Sequence, residues 1–177
     1  MKTIDIEGSR LELVKGDITA QKTDAVVNAA NKRLAPGGGV AGAIHSAAGP
    51  ELYEESKKLG GCETGEAKIT DAYKLPADKV IHTVGPVYSN SKDPEGELRN
   101  SYRNSLELAL ESGIETISFP SISTGAFGYP TDEAAEIALD EIKKFLEEKE
   151  GIEKVRMVLY SDRDYEIYAE KADSMMG

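Results

Sequence analysis

The chain has 177 residues, with 32 acidic against 21 basic side chains and a formal net charge of −11. That length suits one domain, residues 1–177, with a substantial core, and the charge repels nucleic acid and anionic membranes at long range. Cys62 is the single cysteine, which excludes an internal disulfide or a thiolate metal cluster, and no apolar leader follows the start MKTIDIEG.

Residues 4–6 and 11–14 read as strands around a turn at Gly8 and Ser9, an antiparallel start. Residues 24–29 contain Ala25, Val26 and Val27, a short apolar strand of the kind buried on both faces. Helices are expected over 40–48 and 50–59, with Gly49 and Pro50 as the stop and restart between them. Strands follow at 67–70 and 80–84. Residues 94–111 form a helix capped by Asp93, with Leu98, Tyr102, Leu106 and Leu110 on its buried face.

The next strand, 116–119, stops at Pro120. The longest helix, 131–148, takes Thr131 as its cap and turns Ala135, Ala138, Ile142 and Phe145 inward. Strand 155–160 and a short helix near 165–172 complete the order, with Met175 to Gly177 as a frayed end. Strands alternating with helices imply a three-layer α/β/α domain with a mostly parallel sheet, mixed because of its antiparallel start. A cytoplasmic monomer is expected, without membrane or nucleic-acid partners.

The most informative stretch is 28–49, NAANKRLAPGGGVAGAIHSAAG. Three successive glycines cost backbone entropy, so such a run belongs where the chain bends sharply or a ligand lies on bare backbone. A helix N-terminus follows directly, and its unpaired N–H groups suit a phosphate. The stretch SISTGAFG at 121–128 has the same character. Both follow a strand expected to be parallel, so they share the edge of the sheet where ligands bind in open α/β folds. Two such loops point to a ligand with more than one phosphate. Neither a dinucleotide fingerprint nor a GxxxxGK[ST] loop occurs.

Asn28 and Asn31 fall at the strand end and in the following turn, where a carboxamide can hold a ribose hydroxyl or a water, or simply cap the turn. His45 lies one helical turn after Ala41, either approaching the site or packed beneath a loop. His82, in an apolar strand, reads as a core histidine. Two histidines so scattered do not suggest a metal site.

The blocks VKGDIT (14–19), DAVVNAAN (24–31), GGGVAGAIHSAAG (37–49), TGEAKIT (64–70), VIHTVGP (80–86) and FPSISTGAFGYP (119–130) resemble the macrodomain family, modules that bind ADP-ribose. They run in family order across most of the chain. The MacroD-type branch, which these blocks resemble in particular, includes hydrolases that free carboxylate side chains of ADP-ribose and deacetylate O-acetyl-ADP-ribose. The resemblance implies a six-stranded mixed sheet between helical layers, ADP-ribose or ADP-ribosylated proteins as partners, and no cofactor or metal.

It also implies roles. Asp17 accepts from the adenine amine beside Ile18, and Tyr160 faces the adenine, with Tyr165 as the alternative. Gly38, Gly39 and Val40 form the first phosphate loop. Ser121, Ser123, Thr124, Gly125, Ala126, Phe127 and Gly128 belong to the second, with Phe127 at the distal ribose. Asn31 orients that ribose and the attacking water; beside it, the residues themselves offer Asn28 as a supporting carboxamide and His45, one turn beyond Ala41, as a further catalytic candidate. One departure bears on activity. MacroD-type hydrolases read GGGVDG where this chain has Ala41, so a carboxylate implicated in catalysis is missing. Ester hydrolysis and a non-catalytic ADP-ribose reader therefore stand as two readings.

Overall fold

The computed structural model describes residues 1–177 and opens with a hairpin. Strands β1 (Lys2–Ile6) and β2 (Ser9–Lys15) pair antiparallel with Ile6 opposite Ser9. Between them Glu7 and Gly8 have φ of 49° and 87°, the left-handed pair whose twist matches a tight hairpin.

The remaining strands are β3 (Ala25–Ala29), β4 (Ala67–Asp71), β5 (Lys79–Thr83), β6 (Thr116–Phe119) and β7 (Lys154–Leu159). All join one sheet in the order β1-β2-β7-β6-β3-β5-β4. The sheet has seven strands, one more than the resemblance implies. Its inner pairings are parallel, while β1 and β4 close the two edges antiparallel.

Alternation along the strands divides the core. Ala25 and Val27 of β3, Ile81 of β5 and Val155, Met157 and Leu159 of β7 enter the larger cluster. That cluster packs on helices α3 (Pro94–Glu111), α4 (Thr131–Glu148) and α5 (Asp162–Met176). Val26, Val80 and Val158 point the opposite way, toward α1 (Gly39–Ala48) and α2 (Glu51–Ser56). This two-sided burial is the three-layer α/β/α architecture. No helix is long and apolar enough to cross a membrane.

Several element ends differ from the expectation. The helix expected over 50–59 is α2 followed by a tighter turn, Lys57–Leu59, that stops at Gly60 with φ 77°. Asp93 caps α3 through a bond from Gly96 N–H, but Leu110 is only half-buried and Ala109 fills its place. A strict four-residue spacing drifts off a face that repeats every 3.6 residues. Pro130, not Thr131, occupies the α4 cap and makes no side-chain bond. The last helix begins at Asp162 under a Ser161 cap and runs to Met176, so the tail is helical.

Candidate ligand-binding cleft

Because β2, β7, β6 and β3 run parallel, their carboxyl ends share one edge of the sheet. A cleft of about 540 Å³ opens there, and none of its lining side chains is Lys, Arg or His.

The end of β2 supplies Gly16, Asp17 and Ile18. Asp17 Oδ1 accepts from Thr19 N–H at 2.9 Å and Thr19 Oγ1 at 2.7 Å, capping the short turn Ile18–Ala20. Both bonds fall on one oxygen, which leaves Oδ2 without a protein donor. Asp17 therefore serves the turn and remains able to read a donor. Tyr160, just past β7, lines the same end and is 84% exposed. Tyr165 instead packs against the large core, so Tyr160 is the aromatic at the cleft.

The start of α1 forms the opposite wall through Gly39, Val40 and Ala43. Its cap is Gly38, without a side-chain bond or an acid in the first turn. The first helical bond runs from Gly42 N–H to Gly38 O, so the amides of Gly39, Val40 and Ala41 donate to no protein group. Such a terminus is a ready anion site. Asn31 sets the loop before it: Nδ2 donates to Ala35 O at 2.8 Å, and Oδ1 accepts from Ala35 N–H at 3.0 Å. Gly42 must lack a side chain, because a Cβ there would lie 2.2 Å from Gly37 O. Asn31 thus fixes the loop that presents the glycines, while keeping one N–H and one lone pair free.

The loop after β6 supplies Pro120, Ser121, Thr124 and Gly125. The amides of Thr124, Gly125, Ala126 and Phe127 also donate to no protein group. Two buried tyrosines, not foreseen as site residues, hold this loop from below. Tyr102 OH accepts from Ile122 N–H at 3.1 Å, and Tyr168 OH bonds Ser121 Oγ at 2.6 Å. Thr124 Oγ1 donates to that same Ser121 Oγ at 2.9 Å. A Tyr inside an apolar helix stripe is the available signal, since a buried phenol needs a partner. Burial pushes the Tyr168 hydroxyl up to about 12, so it keeps its proton. Tyr168→Phe is expected to cost about 1 kcal/mol in urea denaturation by stripping Ser121 of that bond.

Other expected members lie outside the cleft wall. Ser123 is buried with φ 69°, and its Oγ donates to Pro86 O at 2.8 Å. Ala126, Phe127 and Gly128 sit beyond Gly125 in the loop, and Phe127 O accepts from Tyr88 N–H. Gly38 flanks the wall rather than lining it.

Asn28 and His45 are in the interior. Asn28 is fully buried, and its Nδ2 donates to His82 Nδ1 at 3.1 Å. His82 Nε2–H then donates to Thr70 Oγ1 at 2.9 Å, whose hydrogen goes to Asp71 O. This assignment satisfies Thr70 at both ends, whereas flipping the amide would not. His45, 6% exposed, stands over this chain with its ring centroid 6.3 Å from that of His82. Asn28 Oδ1 and His45 Nε2 are buried without a protein partner. Even-numbered positions on β3 and β5 face α1, which explains why Asn28 points under the helix and not into the cleft.

Burial, and secondarily the charge of His45, lowers the His82 pKa to about 3. The unfolded chain takes up that proton near 6.5, so acid favours unfolding. Stability contributed by neutral His82 is complete above pH 6.5 and drains as pH falls toward 3. The expected slope is about 1.4 kcal/mol per pH unit for this group. His82→Gln should flatten it in denaturation measured across that window.

An α/β/α sheet with an amide-rich cleft at its carboxyl edge and no Lys, Arg or His in the wall can offer a phosphorylated ligand neutral donors. The Macro domain family matches residues 27–138. Macro domain-containing protein CT2219 of Chlorobaculum tepidum is 55% identical over 159 residues, 89% of this chain and 92% of that one. ADP-ribose glycohydrolase MACROD2 of Xenopus laevis is 48% identical over 174 residues, 95% of this chain, which spans 42% of its length. The Oceanobacillus iheyensis macrodomain solved with ADP superposes with a TM-score of 0.96 at 46% identity, covering 99% of this chain and 96% of that one. The chain belongs to the Macro domain family.

Proposed function

We propose that this macrodomain binds ADP-ribose, free or attached to an acidic side chain, and hydrolyses the ester in the attached form. The observation that carries the reading is the pair of unpaired amide rows, Gly39 to Ala41 and Thr124 to Phe127, which meet one cleft at Gly39 and Val40 and at Thr124 and Gly125. A diphosphate placed between them receives donors from both sides. Adenine then reaches Asp17 Oδ2 and Tyr160, and the distal ribose extends toward Asn31, which stands outside the cleft wall and holds the loop before α1. Solved relatives support the ligand: a Trypanosoma brucei macrodomain, 43% identical over 90% of this chain, is described in complex with ADP-ribose.

For hydrolysis, a water oxygen bonds the anomeric carbon of the distal ribose as the carbon–oxygen bond to the side-chain carboxyl breaks. The carboxylate leaves with the electron pair, and a ligand phosphate oxygen takes the water's proton. Asn31 orients the ribose for this attack. Ala41, buried in the first turn of α1, favours the second reading, a non-catalytic reader, because it offers no proton acceptor. Single-turnover release of ADP-ribose from a mono-ADP-ribosylated glutamate peptide separates the two. Release above the buffer rate supports the hydrolase; binding without release leaves the reader.

A further inference from the structure

The cleft carries a second carboxylate that no motif announces. Asp164 lines it from the first turn of α5. Its backbone N–H is satisfied by Ser161 Oγ at 3.1 Å, so the helix cap is complete without the carboxylate. Neighbouring Asp162 is engaged by Lys15 at 2.8 Å, whereas the Asp164 side chain meets no protein donor. It is half-buried, and its neutralisation by the protein is denied by a wall without Lys, Arg or His.

Its position along the cleft follows from its neighbours. Tyr168 lies one helical turn on, on the same face, and the Asp164 charge adds to the upward shift of the Tyr168 hydroxyl. That hydroxyl bonds Ser121, on the phosphate side. Tyr160, at the adenine end, is only four residues before Asp164. Asp164 therefore belongs to the strip of chain between Tyr160, at the base end, and Tyr168, which holds Ser121 at the diphosphate end. A nucleotide spanning both ends must lay its adenosine ribose along that strip.

We infer that Asp164 is the specificity determinant for this ribose, accepting from its free 2′- and 3′-hydroxyls and excluding an adenosine that carries a further phosphate there. The inference rests on the ADP-ribose reading above. A hydroxyl donates to a carboxylate, whereas a phosphate offers only acceptors and brings a charge of like sign. The other anion-binding groups of the cleft lie at the α1 terminus and the 121–128 loop, and no Lys, Arg or His lines the wall beside Asp164 to offset that repulsion; Arg163 and Lys15 stand outside the wall.

The test compares ADP-ribose with its 2′-phosphorylated form by isothermal titration of the wild type and Asp164→Asn. The wild type should bind the phosphorylated form on the order of 100-fold more weakly. Asp164→Asn keeps the shape but can donate to a phosphate, and it should narrow the gap to under about tenfold. Asp164→Ser gives the same comparison if the Asn variant fails to fold. Equal binding of the two ligands by the wild type, or an unchanged gap in the folded variant, overturns this inference and leaves ADP-ribose binding standing. Failure of the wild type to bind ADP-ribose overturns the proposed function and this inference together.

Discussion

Gly38→Asp is expected to make the protein slightly more stable and nearly unable to bind ADP-ribose. Gly38 already has the extended backbone of a helix cap, φ −89° and ψ 179°, and an added Cβ there meets nothing within 4 Å. The new carboxylate would accept from the unpaired amides of Val40 or Ala41 and complement the helix dipole, a gain of about 0.5–1 kcal/mol. It would also place a negative charge where the diphosphate lies, costing about 3 kcal/mol of affinity, on the order of 100-fold. Opposite signs in the two measurements distinguish this from damage to the fold. Urea denaturation beside a titration reads both, and undiminished affinity would show that the terminus of α1 is not the phosphate site.

Ala41→Asp should act on the rate. Position 41 is the third residue of α1, within reach of the same amides, so an acid there is favoured by the helix terminus despite its burial. If a proton acceptor for the attacking water limits hydrolysis, supplying one should raise single-turnover release about 100-fold, the usual worth of a general base. The cost is repulsion beside the diphosphate, visible as a weaker ADP-ribose affinity. An unchanged rate at saturating protein, with binding retained, would mean that the ligand's own phosphate already does this work.

Gly38 was legible in the sequence because three glycines before a helix serve a sharp bend or a ligand lying on bare backbone, and little else; Ala41 stood out only against the GGGVDG of the MacroD-type hydrolases that the chain resembles. Element order was legible for similar local reasons. Asp93 and Pro94 fix the start of α3, and the alternation of Ala25, Val26 and Val27 marks a strand buried on both faces. The direction of β4 was not readable, since its local pattern is the same whichever way it pairs with β5. The length of α5 was obscured by charged residues that lie on its solvent face.

Of the residues singled out by the motifs, Asp17, Tyr160, Thr124 and Gly125 line the cleft. Asn28 does not, because a one-residue difference in a strand sends a side chain to the opposite face, and its parity matches Val26. Asn31 proved to hold its own loop closed, a contact between residues 31 and 35 that spacing alone does not specify. Tyr168 and Asp164 escaped notice because their partners, Ser121 and the cleft, come from β6 and the loops, far along the chain.

If the two amide rows bind through the diphosphate, titrating the wild-type protein with ADP-ribose and with adenosine must separate the two ligands widely. ADP-ribose should bind at micromolar strength. Adenosine keeps Asp17 and Tyr160 but forfeits the amides; losing two charge-assisted bonds of about 1.5 kcal/mol each makes it on the order of 100-fold weaker. Equal affinities for the two ligands would contradict diphosphate binding by the amide rows.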